Sequence, residues 1–192
     1  MELIFVRHGQ GTHTTDLPAT LQLSDPPLTN EGIRQAEKLR TLLPLHEDDV
    51  LIVSPTRRTL QTADVWSEHI NCRKIVHPLL GPRIFPLRPD ATTLPCDELV
   101  NLKRLNQDFP SFEIKADLQP QLWQDGINLL TDSEFVSLAD QFLKYCRTLH
   151  HQKVHLVSHD GTITSYRQMI NGKNLSRDDF LQETEWIGLT YK

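Results

Sequence analysis

Cysteine is scarce: Cys72, Cys96 and Cys146 are the 3 present among 192 residues. An odd number without CxxC spacing argues against a closed disulfide framework or a zinc cage, and fits reduced thiols in a cytoplasmic protein. No apolar run approaches the ~18 residues of a membrane span. The opening MELIFVRHG has neither a basic leader nor an extended apolar stretch, so it does not read as a signal peptide. Positive charge is also short, since 20 Lys and Arg against 25 Asp and Glu leave a net charge of −5. Nucleic-acid surfaces draw on clustered Lys and Arg, and the Arg57-Arg58 pair is too small a patch. Neither a nucleic-acid nor a membrane partner is expected. The chain carries no internal repeat, and its length suits one domain over residues 1–192. What it has in unusual number is histidine, with 9.

Apolar patterning gives an alternation of strands and helices. Glu2 to Val6 reads as a buried strand that stops at Arg7-His8-Gly9. A polar stretch follows to Pro27, and Thr29 then offers an N-cap for a helix carrying Ile33, Ala36, Leu39 and Leu42-Leu43. Val50 to Ser54 is a second buried strand, with a helix from Thr56 to Ile70 after it. Arg73 to His77 is a third, weaker strand. Residues 78–97 are rich in proline (Pro78, Pro82, Pro86, Pro89 and Pro95), which opposes regular structure and points to a long surface excursion. Asp97 to Leu105 and Ser133 to His150 read as helices, Lys153 to Ser158 as a strand, Thr162 to Ile170 as a helix and Glu185 to Tyr191 as a last strand. The pattern predicts an α/β fold: a three-layer sandwich with a mostly parallel central sheet flanked by helices. In such sheets ligands sit beyond the carboxyl ends of the strands. Three strands end there in chemically capable residues: Arg7-His8-Gly9, Ser54 leading to Arg58, and Ser158-His159-Asp160.

Two arginines and two histidines on one rim suit phosphoryl transfer. Arg7 and Arg58 are permanently charged forks matched to phosphate oxygens. His8 and His159 can act as nucleophile, acid or cation near neutral pH. Each has a blander reading. A strand-end Arg-His pair is commonly structural, and Arg58 alone suits a helix-face ion pair. His155 lies in a strand and reads as a packed histidine. His150-His151 sits where imidazolium complements a helix C-terminus. Gly9-x-Gly11 is too short for a nucleotide-binding fingerprint.

The combination is more telling than its parts. FVRHGQ at 5–10, DPPLTNEGIRQA at 25–36, SPTRRTLQTA at 54–63 and VSHDGTI at 157–163 together resemble the histidine phosphatase superfamily, in its phosphoglycerate-mutase-like branch. The resemblance runs from Glu2 to about Ile170. It implies that His8 is the nucleophile that becomes phosphohistidine, with Arg7, Arg58 and His159 completing the phosphate pocket. Gly9 would let the backbone approach the phosphate, and Gln10 could donate to a phosphate or leaving-group oxygen. In the Leu28-Thr29…Gly32…Gln35-Ala36 motif, Thr29 reads as a cap and Gln35 as structural.

One departure matters. Many members carry a proton-donating glutamate soon after the strand that follows the second arginine, and here that stretch reads Leu79-Leu80-Gly81-Pro82-Arg83. Substitutes for the acid are Asp160, Asp97, Glu98 and Asp90, with Asp160 the first choice because it follows His159. Arg83 and Arg88 either line the substrate mouth or are exposed loop residues. The function implied is a metal-independent, cofactor-free phosphatase acting on a small phosphate monoester or a phosphoprotein. Alternatives are a phosphoglycerate mutase-like phosphotransferase and a catalytically weak relative that binds phosphate or phosphoprotein.

Overall fold

A computed structural model describes residues 1–115 and 117–191. Six strands form one sheet: β1 (Glu2–Arg7), β2 (Val50–Val53), β3 (Arg73–Val76), β4 (Glu113–Ile114), β5 (Lys153–Ser158) and β6 (Trp186–Thr190), in the order β4-β3-β2-β5-β1-β6. All pairings are parallel except β1 with β6. Among the described residues six α-helices accompany them: α1 (Asn30–Leu42), α2 (Arg57–Trp66), α3 (Leu102–Asp108), α4 (Pro120–Gln124), α5 (Asp132–Thr148) and α6 (Asp160–Asn171). The mostly parallel, helix-flanked sheet agrees with the sequence expectation.

Side chains alternate across a strand, so each buried strand feeds two cores. Leu3 and Phe5 of β1 join Val154 and Leu156 of β5 against Phe135, Phe142 and Leu143 of α5 and Tyr166 of α6. Their neighbours Ile4, Val6 and Val157 face the other way, onto Leu39 of α1 and Leu60, Ala63 and Trp66 of α2. These two apolar layers hold the sheet between helices and leave its ends free for polar residues.

The carboxyl rim is set by register. Arg7 pairs level with Ser158, and Val53 pairs with Val157. His8 N–H then donates to Ser158 O at 3.1 Å and Ser54 N–H to Val157 O at 3.0 Å. The three strand ends therefore start their loops from one line.

Residues 78–97 differ from expectation. The segment is not simply a surface excursion: Pro78 to Arg83 are buried, and short 3₁₀ turns occupy Pro78–Leu80 and Pro95–Asp97. Burying a loop backbone requires partners for its carbonyls. Side-chain hydroxyls of β5 and α6 supply them: Tyr166 to Leu79 O at 3.1 Å, Ser158 to Leu80 O at 2.7 Å and Thr162 to Gly81 O at 2.5 Å. Other boundaries moved less. The helix expected from Asp97 begins at Leu102, where the Asn101 side chain caps it by accepting from Arg104 N–H. The helix expected to reach Ile70 ends at Trp66.

Candidate active site

The loop after β1 is tied to two helices before any side-chain chemistry begins. Thr29 caps α1, its Oγ1 accepting from Gly32 N–H at 3.0 Å and donating to Gln10 Oε1 at 2.8 Å. Gln35 Oε1 accepts from Gln10 N–H at 2.8 Å, and Thr62 Oγ1 of α2 accepts from Gly9 N–H at 3.0 Å. The fold gives Gly9 a packing reason of its own. A Cβ there would lie 2.6 Å from Gly32 O, so the missing side chain admits α1 to the loop. A Cβ on Gly32 would in turn lie 2.2 Å from Gln10 O. Gln10 is accordingly a bracing residue, its side-chain carbonyl committed to Thr29.

Within this brace His8 is 3% exposed. Its Nδ1 lies 2.7 Å from Gly9 O. A carbonyl oxygen only accepts, so Nδ1 carries the proton and Nε2 carries the lone pair. Burial lowers the His8 pKa well below its ordinary 6.5, and the positive charges of Arg58 and Arg7 lower it further. The ring is thus neutral at neutral pH, with its nucleophilic nitrogen free of a proton.

Arg58 is the hub of the cluster. It enters from the first turn of α2 and is 1% exposed. Its Nε–H donates to His8 Nε2 at 3.3 Å, and Nη2 reaches His159 Nδ1 at 3.2 Å and Asp97 Oδ1 at 3.0 Å. Nη1 donates to Cys96 O at 2.6 Å. His159 is also buried, with its Nε2 2.8 Å from Ser54 Oγ. Burial, followed by Arg58, lowers the His159 pKa well below 6.5. With Nδ1 accepting from Arg58, Nε2 carries the proton and donates to Ser54. The His8 and His159 rings meet edge to face, centroids 5.1 Å apart.

Arg7 approaches from the other side. Nη1 donates to Leu181 O at 2.6 Å and Nη2 pairs with Asp160 Oδ2 at 3.0 Å. Its Nε–H is buried and meets no acceptor among the described residues. Asp160 opens α6, and its Oδ1 also accepts from Gly161 N–H at 2.6 Å. Both Asp160 oxygens are therefore engaged as acceptors at a helix start, where negative charge is favoured.

Expectation and structure part company at Arg83. Its side chain does not line a mouth: it is 4% exposed, stacks 4.5 Å over Phe135, pairs with Asp132 at 2.7 Å and donates to Leu130 O at 2.5 Å. The partners lie at the start of α5, so the guanidinium anchors the buried segment to that helix. Glu98, Asp90 and Arg88 are exposed. Asp97, by contrast, belongs to the cluster.

A third histidine went unremarked in the sequence. His13 is 8% exposed, its ring centroid 5.7 Å from that of His8, and burial together with Arg58 and Arg7 lowers its pKa to about 3. The available signal was its position five residues beyond His8 in a stretch otherwise made of Gly, Gln and Thr. Among the described residues no three His, Cys, Asp or Glu side chains are arranged to hold a metal ion.

Two imidazoles bridged by a buried arginine lie beyond the carboxyl ends of adjacent parallel strands, an arrangement suited to holding an anion beside an unprotonated ring nitrogen. The family model that fits is that of the histidine phosphatase superfamily (branch 1), matched over residues 3–85, the span holding Arg7, His8 and Arg58. A Schizosaccharomyces pombe protein named "probable phosphatase" is 30% identical over 116 residues, covering 59% of this chain and 52% of that protein. The chain spans about half the length of this curated relative. Solved phosphatase structures share the fold across nearly the whole chain. The α-ribazole phosphatase of Shigella flexneri superposes with a TM-score of 0.61 at 23% identity, covering 100% of this chain and 91% of that one. A mycobacterial glucosyl-3-phosphoglycerate phosphatase bound to VO3 gives 0.64 at 17% identity, covering 98% and 90%. The phosphoserine phosphatase of Entamoeba histolytica, in complex with phosphoserine, gives 0.63 at 17% identity, covering 100% and 91%.

Proposed function

We propose that this protein is a metal-independent phosphatase that hydrolyses a small phosphate monoester through a phosphohistidine on His8. The observation that carries the reading is the His8 Nδ1 to Gly9 O contact of 2.7 Å, which leaves the Nε2 lone pair facing Arg58. The names of the similar proteins, a phosphoserine phosphatase and a sugar-phosphoglycerate phosphatase among them, support a small anionic substrate.

In the first step the substrate phosphate takes the Arg58 Nε–H now shared with His8 Nε2. It also satisfies Arg7 Nε. His8 Nε2 then attacks phosphorus in line, forming the N–P bond as the bond to the leaving oxygen breaks. Guanidinium groups in a dry pocket hold the equatorial oxygens, where charge spreads in the transition state. The phosphate dianion also offsets the arginine charges that, together with burial, keep His159 neutral, so His159 can take up a proton from solvent and donate to an oxygen. Water then attacks phosphorus and the N–P bond returns its electrons to His8.

Incubation with 32P-labelled substrate followed by acid and base treatment tests this. Wild-type protein is expected to trap an acid-labile, base-stable label and to hydrolyse p-nitrophenyl phosphate in the presence of a chelator. His8→Ala should lose both, by ~10³-fold or more for turnover. Full activity in His8→Ala would remove the reading.

A further inference from the structure

The reaction needs a proton for the leaving oxygen, and the stretch Leu79 to Arg83 carries no carboxyl. We propose that Asp97 is the general acid of this site, delivering its proton to the leaving oxygen from the far end of the Arg58 guanidinium. The inference rests on the phosphatase reading and adds a catalytic residue to it.

Arg58 joins the two groups. Arg58 Nε faces the nucleophile, His8 Nε2, at 3.3 Å, and Arg58 Nη2 faces Asp97 Oδ1 at 3.0 Å. A phosphoryl group received by that guanidinium edge has the attacking nitrogen at one end and the carboxyl at the other. In-line displacement requires this order of nucleophile, phosphorus and leaving oxygen. Asp97 is held there by its own backbone: it closes the Pro95–Asp97 turn, its N–H donating to Leu94 O at 2.9 Å, while the preceding carbonyl, Cys96 O, accepts from Arg58 Nη1 at 2.6 Å. The Asp97 side chain is 23% exposed, so an ester oxygen can reach it.

The protonation state agrees with this placement. Burial raises the Asp97 pKa above its ordinary 3.8, against the opposing pull of Arg58. A bound phosphate raises it further, by adding negative charge and by occupying the guanidinium that favours the carboxylate. Asp160 is less suited, because its two oxygens already accept from Arg7 and from Gly161 N–H.

The step balances simply. As the P–O bond breaks, the Asp97 proton passes to the leaving oxygen and an alcohol departs. The water that attacks the phosphohistidine keeps both its protons and leaves as dihydrogen phosphate, the N–P electron pair returns to His8, and Asp97 regains its proton from solvent.

Asp97→Asn keeps an oxygen for Arg58 and removes the proton. For an alkyl phosphate such as glycerol 3-phosphate, kcat is expected to fall ~10²–10⁴-fold, the usual contribution of a positioned acid. For p-nitrophenyl phosphate, whose leaving group departs without protonation, kcat should change by only a few-fold, and label trapping on His8 should persist. The decline of alkyl turnover with rising pH, as Asp97 ionises, should vanish. Asp97→Glu should recover part of the alkyl activity, and if Asp97→Asn fails to fold in a thermal melt, Asp97→Glu carries the comparison, losing more alkyl than aryl turnover. Equal losses on both esters would make Asp97 merely a brace for Arg58 and overturn the assignment, as would unchanged rates. Failure of wild-type protein to trap label or hydrolyse either ester would instead sink the phosphatase reading itself.

Discussion

His8 and its neighbours show how burial sets chemistry. An imidazole in water is partly protonated near pH 6.5, and a protonated nitrogen cannot attack phosphorus. Burial and the flanking arginines lower the His8 pKa well below that value. In the mechanism proposed here His8 therefore stays unprotonated through mildly acid conditions. Once the substrate's own ionisation is allowed for, kcat/KM for p-nitrophenyl phosphate should show no acid limb near pH 6.5, and the limb should lie lower. A limb at the ordinary histidine value would mean that His8 is solvated in the working enzyme. Much of this pocket was legible because Arg7-His8, Arg58 and His159 each end a strand or open the helix after it. Asp97 was legible only as one carboxylate among several: its membership depends on Arg58 reaching across to a 3₁₀ turn distant in sequence. Arg83 was misread for the same reason, since Asp132, Leu130 O and Ser165 lie far along the chain.

The joint between α1 and the loop after β1 has no side chain at its centre. Glycine inside a helix costs about 1 kcal/mol against alanine, so Gly32 is locally unfavourable. Its compensation is contact: an added Cβ would stand 2.2 Å from Gln10 O, a backbone atom that cannot rotate away. Gly32→Ala should consequently lower stability by ~1–3 kcal/mol, the usual cost of overpacking, despite the better helix propensity. It should also lower kcat, because the displaced loop carries His8. A melt and a p-nitrophenyl phosphate assay on the same sample check both, and a stabilised, fully active variant would show that the joint absorbs the methyl. Strong elements such as α5, with a complete capping box at Thr131 and Glu134, were readable from sequence. The 106–132 region was not. Its strand β4 has two residues and α4 five, too short for either periodicity to register.

Across the molecule as a whole, several histidines are kept neutral inside the fold, and this makes stability depend on pH. Burial lowers the pKa of His77 to about 3 and of His155 to about 4, while His13 stands at about 3 and His8 and His159 well below 6.5. In the unfolded chain each returns to about 6.5. Between those values the unfolded state binds more protons, so stability is full above pH 6.5 and is lost as pH falls through the window. Asp97, raised above 3.8, works the other way over the lower part of that range, but one carboxyl faces five imidazoles. His77 isolates the effect outside the active site. It lies between Phe142 and Tyr145, at centroid distances of 4.7 and 5.6 Å, with Lys115 lowering its pKa and Asp117 raising it. Its Nδ1 accepts from Leu79 N–H at 3.2 Å, an acceptor that asparagine Oδ1 can replace. Urea titrations at pH 7 and pH 5 should show a lower midpoint at pH 5 for the wild type. In His77→Asn the drop in unfolding free energy between the two pH values should shrink by about 2 kcal/mol, the linkage of one histidine carried about 1.5 pH units below its ordinary value. An identical drop in both proteins would show that His77 gains its proton without unfolding.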